Sequence, residues 1–352
     1  MIVVRTPFRI SFVGGGSDLP SYYRRNGGAV VSASIDKYMF IVLHPYFHDK
    51  IRIKYSRMED VDRVADIEHP IVRECLIWRQ IPKGMEIASF ADVPAGTGLG
   101  SSSAFTVGLL HALHAYQGEQ TSPAELAAAA CNVEIDRLGE PIGKQDQYAC
   151  AFGGINFIRF HADEQVDVEP IGLDAQDASA FERNLLLFYL GQERSAGSIL
   201  SQQSQNMLDP AKWSRVDRMV ELAERFRSAL ELRCFDDCGD LLNEHWLLKR
   251  ELADGISNDF VEQVYTKAMC SGASGGKLLG AGGGGFLLLY CKPESQASVR
   301  RELSGLREMP FRFSSAGSRV IFSDELSLPE ADSDFGSLPD LLGATTPITS
   351  LG

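Results

Sequence analysis

Pro94-Ala-Gly-Thr-Gly-Leu-Gly-Ser-Ser-Ser-Ala104 follows the strand-like run MEIASFADV (85–93) and precedes AFTVGLLHALHAYQ (104–117), whose apolar positions 105, 109, 110 and 113 keep the helical period. Strand, glycine-rich loop and helix thus follow one another directly. That order suits an anion, because the glycines Gly96, Gly98 and Gly100 let backbone N–H groups turn inward and the helix start adds its positive end and the hydroxyls of Ser101, Ser102 and Ser103. Serines at a helix start also serve as plain caps, so the loop alone leaves binding and capping open. No GxxxxGK[ST] nucleotide loop occurs; GASGGKL and GEPIGKQ miss the spacing or the hydroxyl.

A second run, Gly280-Ala-Gly-Gly-Gly-Gly285, satisfies GxGxxG. A dinucleotide fingerprint needs its glycines after a strand and at the start of a helix. Here they lead into FLLLYC, a strand, and no βαβ unit follows. The run reads instead as a tight turn where backbones approach closely.

At 352 residues, 44% hydrophobic and 23% charged, the chain has the composition of a water-soluble protein of two ordinary domains. The opening MIVVRTPFRISFV sets Arg5 and Arg9 inside its apolar stretch, so a secretory signal is not expected and the cytoplasm is. A net charge of -13 disfavours nucleic acid and anionic membranes as partners; any attraction for phosphate must be local. The seven cysteines are scattered and never spaced CxxC, which argues against disulfides or zinc. Cys234, Cys238 and His245, and the pair His111 and His114, lack further ligands and read as ordinary buried or surface groups.

Strands are expected at 1–13, 27–35, 39–47, 50–56 and 85–93, then at 155–160, 184–190, 286–291 and 310–322. A helix opens at the capping box Ser122-Pro-Ala-Glu125 and runs towards Gly139, carrying Glu134 near its end. Residues 162–180 read as an acidic linker, and helices are expected over 194–208, 213–232, 235–252 and 295–306. The expected division is 1–180, 181–330 and a peripheral tail, 331–352.

Three motifs in order, PFRISFVGGGSD, PAGTGLGSSSA and GAGGGGF, resemble those of the galactokinase, homoserine kinase, mevalonate kinase and phosphomevalonate kinase (GHMP) superfamily over residues 5–325. The resemblance implies a two-domain α+β fold: an N-terminal ribosomal-protein-S5-like α/β domain that binds ATP and a C-terminal ferredoxin-like α+β domain. It implies that Gly96, Gly98, Gly100, Ser101, Ser102 and Ser103 cradle the ATP phosphates and that Ser102 and Glu134 hold Mg²⁺, an ion suited to such hard oxygen ligands. Asp146 matches the aspartate facing the acceptor hydroxyl, and Arg9 an arginine that would keep it ionised.

Within that superfamily, RTPFRISFVGGGSDLPSYYRRNGGAVVSASIDKY, GEPIGKQDQYACAFGG and RSAGSIL look most like the bacterial heptose kinase branch, which phosphorylates the anomeric hydroxyl of D-glycero-D-manno-heptose 7-phosphate. Galactokinases carry Glu-His where this chain has Gly15 and Gly16; Asp18 is retained. Gly15, Gly16, Ser17, Asp18, Gly282 and Gly283 are therefore expected around the acceptor. Lys37, Lys144, Arg194, Arg24 and Arg25 are candidate cations for its remote phosphate. The implied partners are ATP and a sugar phosphate, with a homodimer left open. A fucose or galactose kinase and a non-catalytic sugar and ATP sensor are the alternatives, although a sensor is expected to lose the Asp146 or magnesium positions, which this chain keeps.

Overall fold

The computed structural model describes residues 1–81, 83–191 and 197–324. The chain order begins β1 (Ile2–Val13), α1 (Pro20–Asn26), β2 (Gly28–Pro45), β3 (Ile51–Lys54), β4 (Met58–Val61), α2 (Pro70–Trp78) and β5 (Met85–Ala91). It continues with α3 (Ser101–Tyr116), α4 (Pro123–Cys131), α5 (Gln145–Phe152), β6 (Ile155–Phe160), β7 (Val166–Pro170), α6 (Ala175–Glu182) and β8 (Leu185–Tyr189). Then come α7 (Gly197–Asn206), α8 (Pro210–Glu231), α9 (Phe235–Lys249), α10 (Asp259–Cys270), β9 (Gly275–Leu278), β10 (Phe286–Tyr290), α11 (Pro293–Glu302), β11 (Arg307–Glu308) and β12 (Arg319–Ser323).

The two strands expected at 27–35 and 39–47 are one, β2, of 18 residues. Its strand pairing explains this, since the first half pairs with β6 while the second half pairs with β5, and β1 runs along both. The resulting eight-stranded sheet has the order β12-β1-β2-β5-β3-β4, with β6 attached beside β2 and β7 beside β6; among the described residues only its β3–β5 pair is parallel. The expected acidic linker is not one. It forms β7, paired with β6 from Val166 to Pro170, and α6, capped by Asp174. A four-stranded antiparallel sheet, β11-β8-β10-β9, makes the second layer.

The last strand, β12, returns to pair with β1, so the chain beyond 180 also contributes to the first sheet. Helix α8 packs against β1 and β2, and α9 against β9 and β10, which joins the two sheets. Phe12 of β1 stacks on Phe226 of α8 at 5.3 Å and meets Phe181 at 5.6 Å. Burying each such ring is worth about 1.5–3 kcal/mol, enough to hold the two halves in register. A second cluster around Trp246, Met219 and Leu287 fills the C-terminal layer.

Candidate active site

The phosphate-loop candidate is built as its spacing suggests. Gly96, Gly98 and Gly100 all have positive φ, between 74° and 86°, and Gly100 is the N-cap of α3 with no side chain bonded to the helix end. The free N–H groups of the first helical turn are those that an anion would satisfy. Gly98 and Gly280 are fixed by each other: a Cβ on Gly98 would lie 2.5 Å from the Leu279 carbonyl oxygen, and one on Gly280 would lie 2.6 Å from the Gly98 Cα. The late glycine run is thus a turn locked onto the candidate phosphate loop. Together the two turns wall a cleft of about 330 Å³.

Arg9 and Asp146 meet at the floor of this cleft. Arg9 lies on β1 where the pairing with β2 slips, beyond the last residues of β1 that pair with β12. Such an irregularity re-aims a side chain, and Pro7, which cannot donate, is tolerated beside it. The guanidinium donates from Nε and Nη2 to the two Asp146 oxygens, each at 2.7 Å, and from Nη1 to the Gly98 carbonyl at 2.6 Å. Asp146 stands in the first turn of α5, where a carboxylate is favoured. Arg9 is 3% exposed and Asp146 23%, so the acid faces the cleft while its cation lies behind it.

Glu134 enters from the helical turn after α4, where the α-helix loosens into a π-helix over Asn132–Arg137. Ser102 Oγ donates to its Oε1 and Gln147 Nε2 to its Oε2, both at 2.7 Å. Burial pushes the Glu134 carboxyl above its usual range, and the Ser102 and Gln147 bonds pull it back. A buried carboxylate whose bonding partners are neutral, beside a hydroxyl, fits a hard divalent cation such as Mg²⁺. Among the described residues no group of three or more His, Cys, Asp or Glu could hold a metal, so ATP oxygens and water would complete the set.

Asp18 is fully enclosed, and burial raises its carboxyl against the lowering effect of the Gly16 N–H at 2.9 Å; the Asp146 charge adds to the rise. Gln145 N also donates to it, at 3.2 Å. The opposite wall comes from the C-terminal half: Gly197, Leu200 and Gln203 of α7, Lys249 at the end of α9, and Gly280 to Gly282 with Gly284. Lys249 donates to the Gly280 carbonyl at 2.7 Å. Its ammonium drops to about 8 through burial, with Arg9 acting the same way and Asp18 and Asp146 opposing.

Several expected residues lie elsewhere. Gly16, Asp18 and Gly282 line the cleft, whereas Gly15 packs beside Ser11 and Gln145, Ser17 bonds Ala29, and Gly283 N–H is bonded to the Ile256 carbonyl. Lys37 is paired with Asp36, Lys144 and Arg24 with Glu164, and Arg25 lies over Trp213; none of the four lines the cleft. Arg194 falls outside the described residues. His111 contacts Ser318 and is pushed down to about 4 by burial, an ordinary interior histidine. Lys249 and Gln203 escaped the sequence reading because one lysine in LLKR and one glutamine in SQQSQN look like any polar helix residue.

Residues 67–154 match the N-terminal domain of GHMP kinases and residues 226–306 match their C-terminal domain. The chain is 28% identical over 317 residues to D-glycero-alpha-D-manno-heptose 7-phosphate kinase of Campylobacter jejuni, covering 86% of this chain and 93% of that one. It is 29% identical over 324 residues to the bifunctional fucokinase/GDP-fucose pyrophosphorylase of Arabidopsis thaliana, covering 85% of this chain and 30% of that much longer protein. The crystal structure of a D-glycero-D-manno-heptose 1-phosphate kinase from Bacteroides thetaiotaomicron has the same fold, with a TM-score of 0.74 over 92% of this chain and 100% of that one, at 24% identity. With both domains, the two-sheet fold and the interlocked glycine turns in place, the chain belongs to the GHMP kinases, a family of phosphotransferases.

Proposed function

We propose that the protein transfers the γ-phosphoryl group of ATP to the anomeric hydroxyl of D-glycero-D-manno-heptose 7-phosphate, giving the 1,7-bisphosphate used to make nucleotide-activated heptose for capsule or surface polysaccharide. The observation that carries the reading is the doubly bonded Arg9–Asp146 pair beneath the α3 N-terminus. In the proposed reaction Asp146 accepts the hydroxyl proton as the acceptor oxygen bonds to phosphorus, and the bond from phosphorus to the bridging oxygen breaks to release ADP. Arg9 holds the carboxylate aimed through its two hydrogen bonds. Gly96, Gly98 and Gly100 with Ser101, Ser102 and Ser103 would bind the phosphates, and Lys249 would face the reacting end as a second cation.

Ser102 and Glu134 would hold Mg²⁺, which when bound supplies charge neutralisation on the phosphate oxygens. An anomeric hydroxyl is more acidic than an ordinary alcohol, which suits a carboxylate base. The test is ADP release with ATP and Mg²⁺ over free and phosphorylated heptoses, mannose 6-phosphate, fucose and galactose. Turnover confined to the heptose 7-phosphate supports the reading; turnover on a free sugar instead overturns the acceptor.

A second reading, a kinase of a free sugar such as fucose, draws on one observation. Lys37, Lys144, Arg24 and Arg25, the described cations expected for a remote phosphate, stand outside the cleft. The same panel separates the two readings.

A further inference from the structure

Gln203 is fully buried, yet neither atom of its carboxamide has a hydrogen-bond partner. It stands on α7 three residues after Leu200 and six after Gly197, and this one helix face lines the cleft. Across from it is Gly16, which offers no side chain: a methyl group built there would collide with Gln203 Nε2. Next to Gly15, Gln145 Oε1 is likewise buried and unbonded, while its Nε2 donates to Asp18 Oδ1 at 3.3 Å. The room that side chains at positions 15 and 16 would take is thus filled by the carboxamides of Gln145 and Gln203, which keep unsatisfied atoms at the cleft wall.

Folding alone does not account for an unbonded carboxamide here, because a buried donor and acceptor without partners is destabilising and an apolar side chain would fill the same space. A ligand that presents a donor and an acceptor side by side would satisfy it. A vicinal diol does so, one hydroxyl donating to Oε1 and the neighbouring oxygen accepting from Nε2.

We propose that Gln203, packed on Gly16 at the cleft wall, determines acceptor specificity by turning its carboxamide to a vicinal diol of the sugar. The inference rests on the sugar-kinase reading of the cleft. It assigns the recognition that side chains at positions 15 and 16 cannot give to a helix of the C-terminal half.

The test uses Gln203→Met, which keeps the length and removes both polar atoms, on whichever acceptor the wild type turns over best. Acceptor KM is expected to rise at least about 30-fold while ATP KM stays within about twofold, and Tm should hold or increase. Across monodeoxy acceptors, one member should show wild type and variant within about threefold, because the lost hydroxyl is the one Gln203 reads. Gln203→Glu, which keeps the size but loses the donor, should also raise acceptor KM selectively. Unchanged acceptor KM, equal rises in both KM values, or a rise in ATP KM alone overturns the inference, the last because the ribose of ATP also carries a diol. Wild-type silence on every acceptor overturns the kinase reading and this inference with it, whereas wild-type turnover with an unaffected variant overturns only the inference.

Discussion

On the N-terminal wall of the cleft the buried charged groups are already bonded: Arg9 to Asp146 and Gly98, Glu134 to Ser102 and Gln147, Asp18 to the Gly16 and Gln145 N–H groups. On the C-terminal side Gln203 is unbonded, and behind Lys249 the fully buried Lys277 and His245 have no partner for their side-chain nitrogens. Groups that must hold a fixed geometry before substrate arrives are satisfied by the protein, which is preorganisation for chemistry. Of these unsatisfied C-terminal groups Gln203 alone lines the cleft, and there an unbonded carboxamide is left for recognition. If this division holds, mutations on the first wall should strike kcat and those on the second should strike KM.

The largest effect is expected at Asp146. Asp146→Asn should lower kcat by about 10³-fold, some 4 kcal/mol in the barrier, with ATP KM little changed. It also strips the carboxylate from an arginine that is 3% exposed, so Tm should fall, because one charge of the pair is then left without its partner. Stopped-time ADP assays with circular dichroism melts check both. Turnover within about threefold of wild type would remove Asp146 from the mechanism.

Gly98→Ala comes next and tests the lock between the two glycine turns. Its φ of +86° disfavours a side chain, and the Leu279 carbonyl stands 2.5 Å from where the Cβ must go. A loss of about 2 kcal/mol or more is expected, read as a lower denaturation midpoint together with weaker ATP binding. A stable variant with normal ATP affinity would mean that the loops can separate without harm.

Lys249 gives a pH signature in which stability and activity move oppositely. With its ammonium at about 8 in the folded protein and 10.5 in an unconstrained chain, the unfolded state binds the extra proton between these values, so stability rises with pH across that window. The charge that would face the reacting end is lost in the same window, and kcat/KM should fall above pH 8. Asp18, Arg9 and Asp146 act on this group, and its charge in turn acts on Lys277 and His245, so Lys249→Met is the control. It should abolish both trends and lower kcat/KM at pH 7 by about 10-fold.

How much of this was legible in the sequence follows from the scale at which each feature is specified. The strand, glycine loop and helix at 85–117 were legible because periodicity and turn chemistry are local, and so was the capping box at Ser122, which forms as written. The single long β2 was not, since its continuity depends on partners β5 and β6 far along the chain. Nor was β7, whose acidic residues alternate on a strand that is only half buried. At the site, Arg9, Asp146, Ser102 and Glu134 stood in recognisable motifs and the fold brings them together. Gln203 is marked only by burial without partners and Lys249 only by a buried ammonium held on the Gly280 carbonyl, properties that exist once α7 and α9 have packed over the cleft.

Lys144 sets the lower bound of the comparison. It lies one residue before Gln145 and close to Asp146 in sequence, so a reading from the chain alone makes it a plausible phosphate ligand. The fold turns it outward instead, onto Glu164, with its ammonium 4.9 Å from the centre of the Tyr23 ring. Glu164 is held down to about 2 against its own desolvation by the bonds from Lys144, Tyr23 and Arg24, and at 45% exposure against 12% for Lys144 the solvent reaches the pair from the acid's side. Exposed pairs of this kind contribute about 0–1 kcal/mol. Lys144→Met should therefore leave kcat and both KM values within about twofold and lower Tm only slightly. A selective rise in acceptor KM would show that the cluster opens when the sugar phosphate binds, and would move part of the recognition back to the N-terminal wall.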